Sequence, residues 1–136
     1  MTRRRATILL HWLTFVLLIL LLAGGGAPIA WAFALCGLGL AALALPFGLM
    51  NDPGPKLDGA LRTAHPWLSR FMYLLTATTA GVTLYVLLGG SADLPLWHMI
   101  LLASASLHGI FHLWRHTALG DGALRRITPR ALHGML

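Results

Sequence analysis

His11 interrupts one apolar run, and His108, His112 and His116 close another. Neither run contains an acidic residue. An imidazole inside a lipid-spanning helix loses water and must find a partner, so it marks a candidate functional site. Imidazoles at matching depths on two helices can ligate one metal centre between them. Haem is the first candidate, because its iron accepts one axial nitrogen on each face.

The spacing makes the depths comparable. His11 lies six residues after Arg5, and His108 lies seven before Arg115. At helical rise these offsets are about 9 and 10 Å. The two runs cross in opposite directions, so both histidines sit at a similar distance from one membrane edge. His108, His112 and His116 follow at i, i+4 and i+8 and drift only about 40° per step, forming one stripe. His112 is therefore the rival ligand on the second of these runs, one turn nearer the edge. His116, beyond Arg115, reads as interfacial. His98, beside Trp97, reads as a polar edge residue, and His65 and His133 as ordinary polar positions.

Positioning these residues requires membrane helices. Of 136 residues, 57% are hydrophobic and 10% charged, against about 25% charged in a soluble domain. Four apolar segments, at about residues 6–23, 28–48, 67–88 and 95–115, each approach the roughly 20 residues that cross a hydrocarbon core. Helix is the open-chain solution there, because backbone groups cannot stay unpaired in lipid. The expected fold is all-α, a membrane four-helix bundle. It is a single transmembrane domain over residues 1–136, with a tail from 116 to 136. Ala23–Pro28 and Gly89–Pro95 are tight turns. The 51–66 connection carries helix breakers at Pro53, Gly54 and Pro55. An Arg-rich start, an apolar run and small residues also resemble a signal peptide. The run is long for a signal, so a retained first span is expected.

Charge placement gives the orientation. The ten Lys and Arg residues all fall on one side of a four-span arrangement, and the opposite turns hold only Asp93. The positive-inside rule then makes both termini cytoplasmic in a multi-pass membrane protein. The net charge of +6 belongs to lipid headgroups and topology, not to nucleic acid. Cys36 is the only cysteine, which excludes an internal disulfide and a thiolate-rich metal site. Without glutamate anywhere or aspartate within the spans, a hard-ion site or transporter is disfavoured. Haem propionates need cations at the membrane edge. Arg5, Arg70 and Arg115 are the candidates there, with His116 beside them. Gly37, Gly81 and Gly109 could admit either a neighbouring helix or a flat macrocycle.

Several stretches together resemble the bacterial cytochrome b561 family of four-helix membrane haem proteins. Ile8-Leu9-Leu10-His11-Trp12-Leu13 is similar to its first-helix ligand stretch. Leu107-His108, then His116, Asp121 and Leu124-Arg125-Arg126, follow its C-terminal pattern. Arg70-Phe71-Met72-Tyr73-Leu74-Leu75 is a weaker echo in the third helix. The resemblance implies a bacterial inner membrane, a haem held by His11 and His108, which favours His108 over the alternate His112, and electron exchange with quinone.

The chain departs from that pattern in the second helix. Phe33 stands where di-haem members carry an outer-haem histidine. Its would-be partner His98 is ten residues before His108, which turns it about 80° around the helix, where fourteen would leave about 40°. One haem b is expected, not two. Oxidation of superoxide at the outer surface, known in some members, is not expected without an outer haem or positive steering there. The expected function is a membrane-bound b-type cytochrome that passes electrons to quinone or to a membrane redox complex, rather than a stand-alone oxidoreductase. The alternative is a haem-free accessory or assembly subunit of a larger membrane complex. The sequence assigns no role to His65 or His98.

Overall fold

The computed structural model of the chain describes residues 2–48 and 53–135. The start of the expected 51–66 connection lies outside them. Four long helices follow one another: α1 (Arg3–Leu22), α2 (Ala27–Phe47), α3 (Gly59–Leu87) and α4 (Leu94–Thr117). A short helix α5 (Ala123–Ile127) and a 3-10 segment (Arg130–Met135) complete the chain. No strand occurs among the described residues. All four long helices have the length and hydropathy to cross a membrane, as the apolar segments predict.

Local chemistry explains the boundaries. Pro28 occupies the first turn of α2, where its missing N–H costs nothing. The Asp93 side chain accepts from Leu96 N at 3.0 Å and caps α4. α1 and α3 end the same way. Gly25 N donates to Leu20 O and Gly24 N to Leu21 O, and Gly90 N donates to Tyr85 O and Gly89 N to Val86 O. Gly24 and Gly89 take the left-handed backbone that this terminating motif needs, with φ of 95° and 100°.

One boundary differs from the expectation. α3 begins at Gly59, not at Trp67, and runs through Pro66. Proline in a helix interior removes one backbone donor, but the extra turns are held from outside the helix. Arg62 Nη1 donates to Gly54 O at 2.7 Å and to Leu57 O at 3.2 Å. The early turns of α3 thus rest on the connection that precedes them.

The bundle is unevenly packed. α2 lies tightly between α1 and α3. A Cβ on Gly37 would come within 2.8 Å of the Ala80 Cβ, so the α2–α3 crossing depends on small residues. Leu17, Leu18, Phe33, Leu75, Ala80 and Leu101 form the apolar core. Large apolar side chains such as Leu35, Leu74, Leu107 and Ile110 remain more than 60% exposed. So wide an apolar surface suits lipid, not water. α4 is the least buried of the four. Its buried residues are His98 and Leu101 near its start and Arg115 near its end.

The starts and ends of several elements meet at one arginine-rich end. Arg3 Nη2 donates to Gly48 O, Arg4 Nη2 to Arg125 O, and Lys56 Nζ to Gly120 O. The two glycine-terminated turns form the opposite end.

Candidate cofactor cavity

Between α1 and α4 lies a cavity of about 530 Å³. Cofactor and small-molecule pockets span about 300–1,000 Å³. Thr7, His11, Thr14 and Leu18 of α1 line it at three- and four-residue steps, as do Leu101, Ala105, His108, His112 and Arg115 of α4. Adjacent residues such as Phe15 and Gly109 widen each face. His116 lies a further step around and is not on the wall. Met72, Tyr73 and Thr76 of α3 close the back.

His11 and His108 thus address the same space from opposing helices. His112 shares the wall, and its ring meets that of His108 edge to face at 4.5 Å between centroids. On its other side His112 meets His65 of α3 at 6.1 Å. Gly109 also lines the cavity, and a Cβ there would meet nothing within 4 Å. The three glycines noted in the sequence therefore separate. Gly37 serves helix packing, Gly109 borders the cavity, and a Cβ on Gly81 would touch nothing within 4 Å.

The cations are arranged differently from the sequence expectation. Arg5 and Arg70 are exposed and do not line the cavity, and Arg70 stacks over Trp67 at 4.8 Å. Arg115 does reach the wall, but it is only 1% exposed and is bonded on every side. Its Nε donates to Asp121 Oδ2 at 2.7 Å, its Nη2 pairs with the same oxygen at 2.5 Å, and Nη2 also donates to Pro53 O. Its Nη1 donates to His65 Nε2 at 2.8 Å. Arginine cannot accept, so the His65 proton is assigned to Nδ1. That nitrogen is buried without a partner.

Asp121 links this knot to the floor of the cavity. Its second oxygen accepts from Ala123 N, the first N–H of α5, at 2.8 Å. The far end of α5 is held by Trp12, whose Nε1 donates to Ile127 O at 2.9 Å. Arg4 Nη2 reaches the carbonyls of Arg125 and Arg126. Fixed at both ends, α5 turns Ala123, Leu124, Arg126 and Ile127 onto the cavity. The segment that reads as a tail is therefore its floor. Trp12, on the α1 wall of the cavity, is one of its anchors.

The opposite end of the bundle is closed. Phe33 is fully buried, and its ring meets His98 edge to face at 5.4 Å between centroids. Thr83 Oγ1 donates to Thr79 O at 2.8 Å, so it accepts from His98 Nε2 at 3.0 Å. His98 is thus an interior residue, only 5% exposed, not the polar edge residue that its position beside Trp97 suggests.

Chemically, the α1–α4 cavity offers two opposed imidazoles, apolar walls, a glycine gap and a guanidinium at its floor. Those are the groups that could hold a flat apolar macrocycle needing one axial nitrogen per face. Among the described residues, no three His, Cys, Asp or Glu side chains converge as a bare metal ion would need. No protein-family model, curated protein or solved structure matches the chain.

Proposed function

We propose that the chain is a membrane b-type cytochrome with one haem in the α1–α4 cavity, as its resemblance to the bacterial cytochrome b561 family implies. The observation that carries this reading is the convergence of His11 and His108 on one cavity of about 530 Å³ from opposing helices. The residues present fit the group. His11 and His108 would hold the iron through their imidazole nitrogens, and Gly109 leaves room beside His108. Bound there, haem supplies a one-electron couple, and ligation by two histidines suits electron transfer rather than oxygen binding.

The protein's own residues do the rest. Apolar side chains of α1, α3 and α4 keep water from the cavity, which limits side reactions. His11 and His108 would tie α1 to α4 through the bound group. α5 and its anchors shut the arginine-rich end. The positive-inside rule supports a cytoplasmic side for that end and both termini, and the family resemblance supports a bacterial inner membrane. Electron partners, quinone or an attached redox subunit, then approach from the cytoplasmic half. Contact of Phe33 with His98 leaves no space between those rings for a second macrocycle.

The visible spectrum of the dithionite-reduced protein tests this. Sharp b-type bands and about one haem per chain are expected. His11→Ala and His108→Ala should each abolish the bands. Loss on His112→Ala with retention in His108→Ala would move the ligand by one turn. A purified, folded chain without bands would leave the alternative, a haem-free accessory subunit of a larger complex.

A further inference from the structure

We infer that Arg126 binds the carboxylates of the cavity's occupant, which makes α5 a binding element. The inference rests on the haem reading and adds the chemistry of the cavity's floor. Arg125 and Arg126 are neighbours with different surroundings. Arg125 is exposed and off the cavity, whereas Arg126 is half-buried and lines it. The arginines on the lining are Arg115 and Arg126, and no carboxylate lies among the lining residues. Such a wall favours an anionic group at that end.

The two arginines are not equivalent. Arg115 directs Nε, Nη1 and Nη2 to Asp121, His65 and Pro53. Its guanidinium is the structural centre of the knot. Arg126 stands beside it. A Cβ on Gly54 would lie 3.0 Å from Arg115 Nη2, 3.2 Å from Arg126 Nη2 and 3.3 Å from Asp121 Oδ2. A guanidinium has five N–H donors in a planar fork. Arg126 can therefore keep a protein partner and still donate into the cavity, two bonds at a time, to a carboxylate.

Its position is also fixed in advance. Asp121 holds the first N–H of α5, Trp12 holds the carbonyl of Ile127, and Arg4 holds those of Arg125 and Arg126. Anchored backbone on both sides of Arg126 lowers the ordering cost of binding. Anchors on α1 and α4, the two helices that carry the histidines, tie the floor to the ligands.

The experiment compares two occupants in the full-length apo-protein. Iron protoporphyrin IX and its dimethyl ester share one ring and one metal. The ester lacks the two carboxylate charges and adds two methyl groups, a difference that the Arg126 variants control for. Spectral titration should show that the wild-type chain prefers the free acid by about 10-fold or more, the range of a charge-assisted hydrogen bond. Arg126→Met should bring the two affinities together, Arg126→Lys should keep part of the preference, and Arg125→Met all of it. Far-UV circular dichroism checks that each variant is folded.

Equal affinity of the wild-type chain for acid and ester would overturn the proposal without any variant. So would a preference that survives in folded Arg126→Met. An equal loss for both occupants in Arg126→Met would also overturn it, and would make Arg126 a structural support of the floor. In all three cases haem still binds and the cytochrome reading stands. Failure of the wild-type chain to bind either porphyrin would instead remove that reading itself.

Discussion

Phe33 and His98 pack edge to face at 5.4 Å, and Thr83 holds the imidazole from behind at 3.0 Å. The contact turns a would-be ligand pair into core. His98→Ala should therefore leave haem content at about one per chain and the reduced spectrum unchanged. Phe33→His should not add a second haem, because the rings already touch and His98 is rotated from the face of His108. Pyridine haemochrome assay against protein concentration measures both. Two haems per wild-type chain would sink the single-site reading, and two in Phe33→His would sink the packing argument alone.

The Thr83 hydroxyl also sets the stability cost of that corner. It passes its own proton to Thr79 O and accepts from His98. Thr83→Val preserves shape and removes the acceptor, leaving a buried N–H unpaired. A loss of about 1–3 kcal/mol is expected. Denaturation in mixed micelles reads it, and Thr83→Ser should recover most of it. An unchanged Thr83→Val would mean that His98 finds another partner.

At the arginine-rich end the decisive pair is Arg115 and Asp121. Both side chains are almost wholly buried. Removing one charge strands the other, so Asp121→Asn should cost about 3–5 kcal/mol. The double variant Arg115→Met with Asp121→Asn should cost less than Asp121→Asn alone, because no stranded charge remains. Since the Arg115–Asp121 pair ties the start of α5 to α4, the floor should loosen in both. The readout is proteolysis after Arg125 or Arg126, faster than in the wild type. Equal losses in the single and double variants would refute the stranded-charge account.

Much of the bundle is legible in the sequence, because lipid imposes long apolar segments and one-sided charge. His11, His108 and His112 are legible for the same reason, as polar groups with no water to compensate them. The floor is not legible. α5 spans Ala123–Ile127, too short for helical periodicity to register. Its place is decided by Trp12, Arg4 and Asp121, whose bonds cross up to 122 residues. His65 is hidden in the same way. It stands before Pro66 and resembles a loop residue, while the partner that buries it, Arg115, is 50 residues away. Arg115 itself illustrates a limit of charge counting. Its position serves the topology rule, yet its bonds within the protein decide what it does.

Gly37 and Gly109 make opposite predictions from the same residue type. A Cβ on Gly37 would stand 2.8 Å from the Ala80 Cβ, whereas one on Gly109 would meet nothing within 4 Å. Gly109→Ala should fold normally and gain up to about 1 kcal/mol from helix propensity. Gly109→Leu should also fold, since its side chain enters the cavity rather than a packed wall. It should, however, displace a macrocycle seated against His108. Far-UV circular dichroism of Gly109→Leu should match the wild type while the reduced b-type bands disappear. Gly37→Leu should do the reverse, forcing α2 from α3 and costing helix stability before haem content. If Gly109→Leu keeps full haem, the macrocycle does not lie against that face of α4, and the choice of His108 over His112 falls with it.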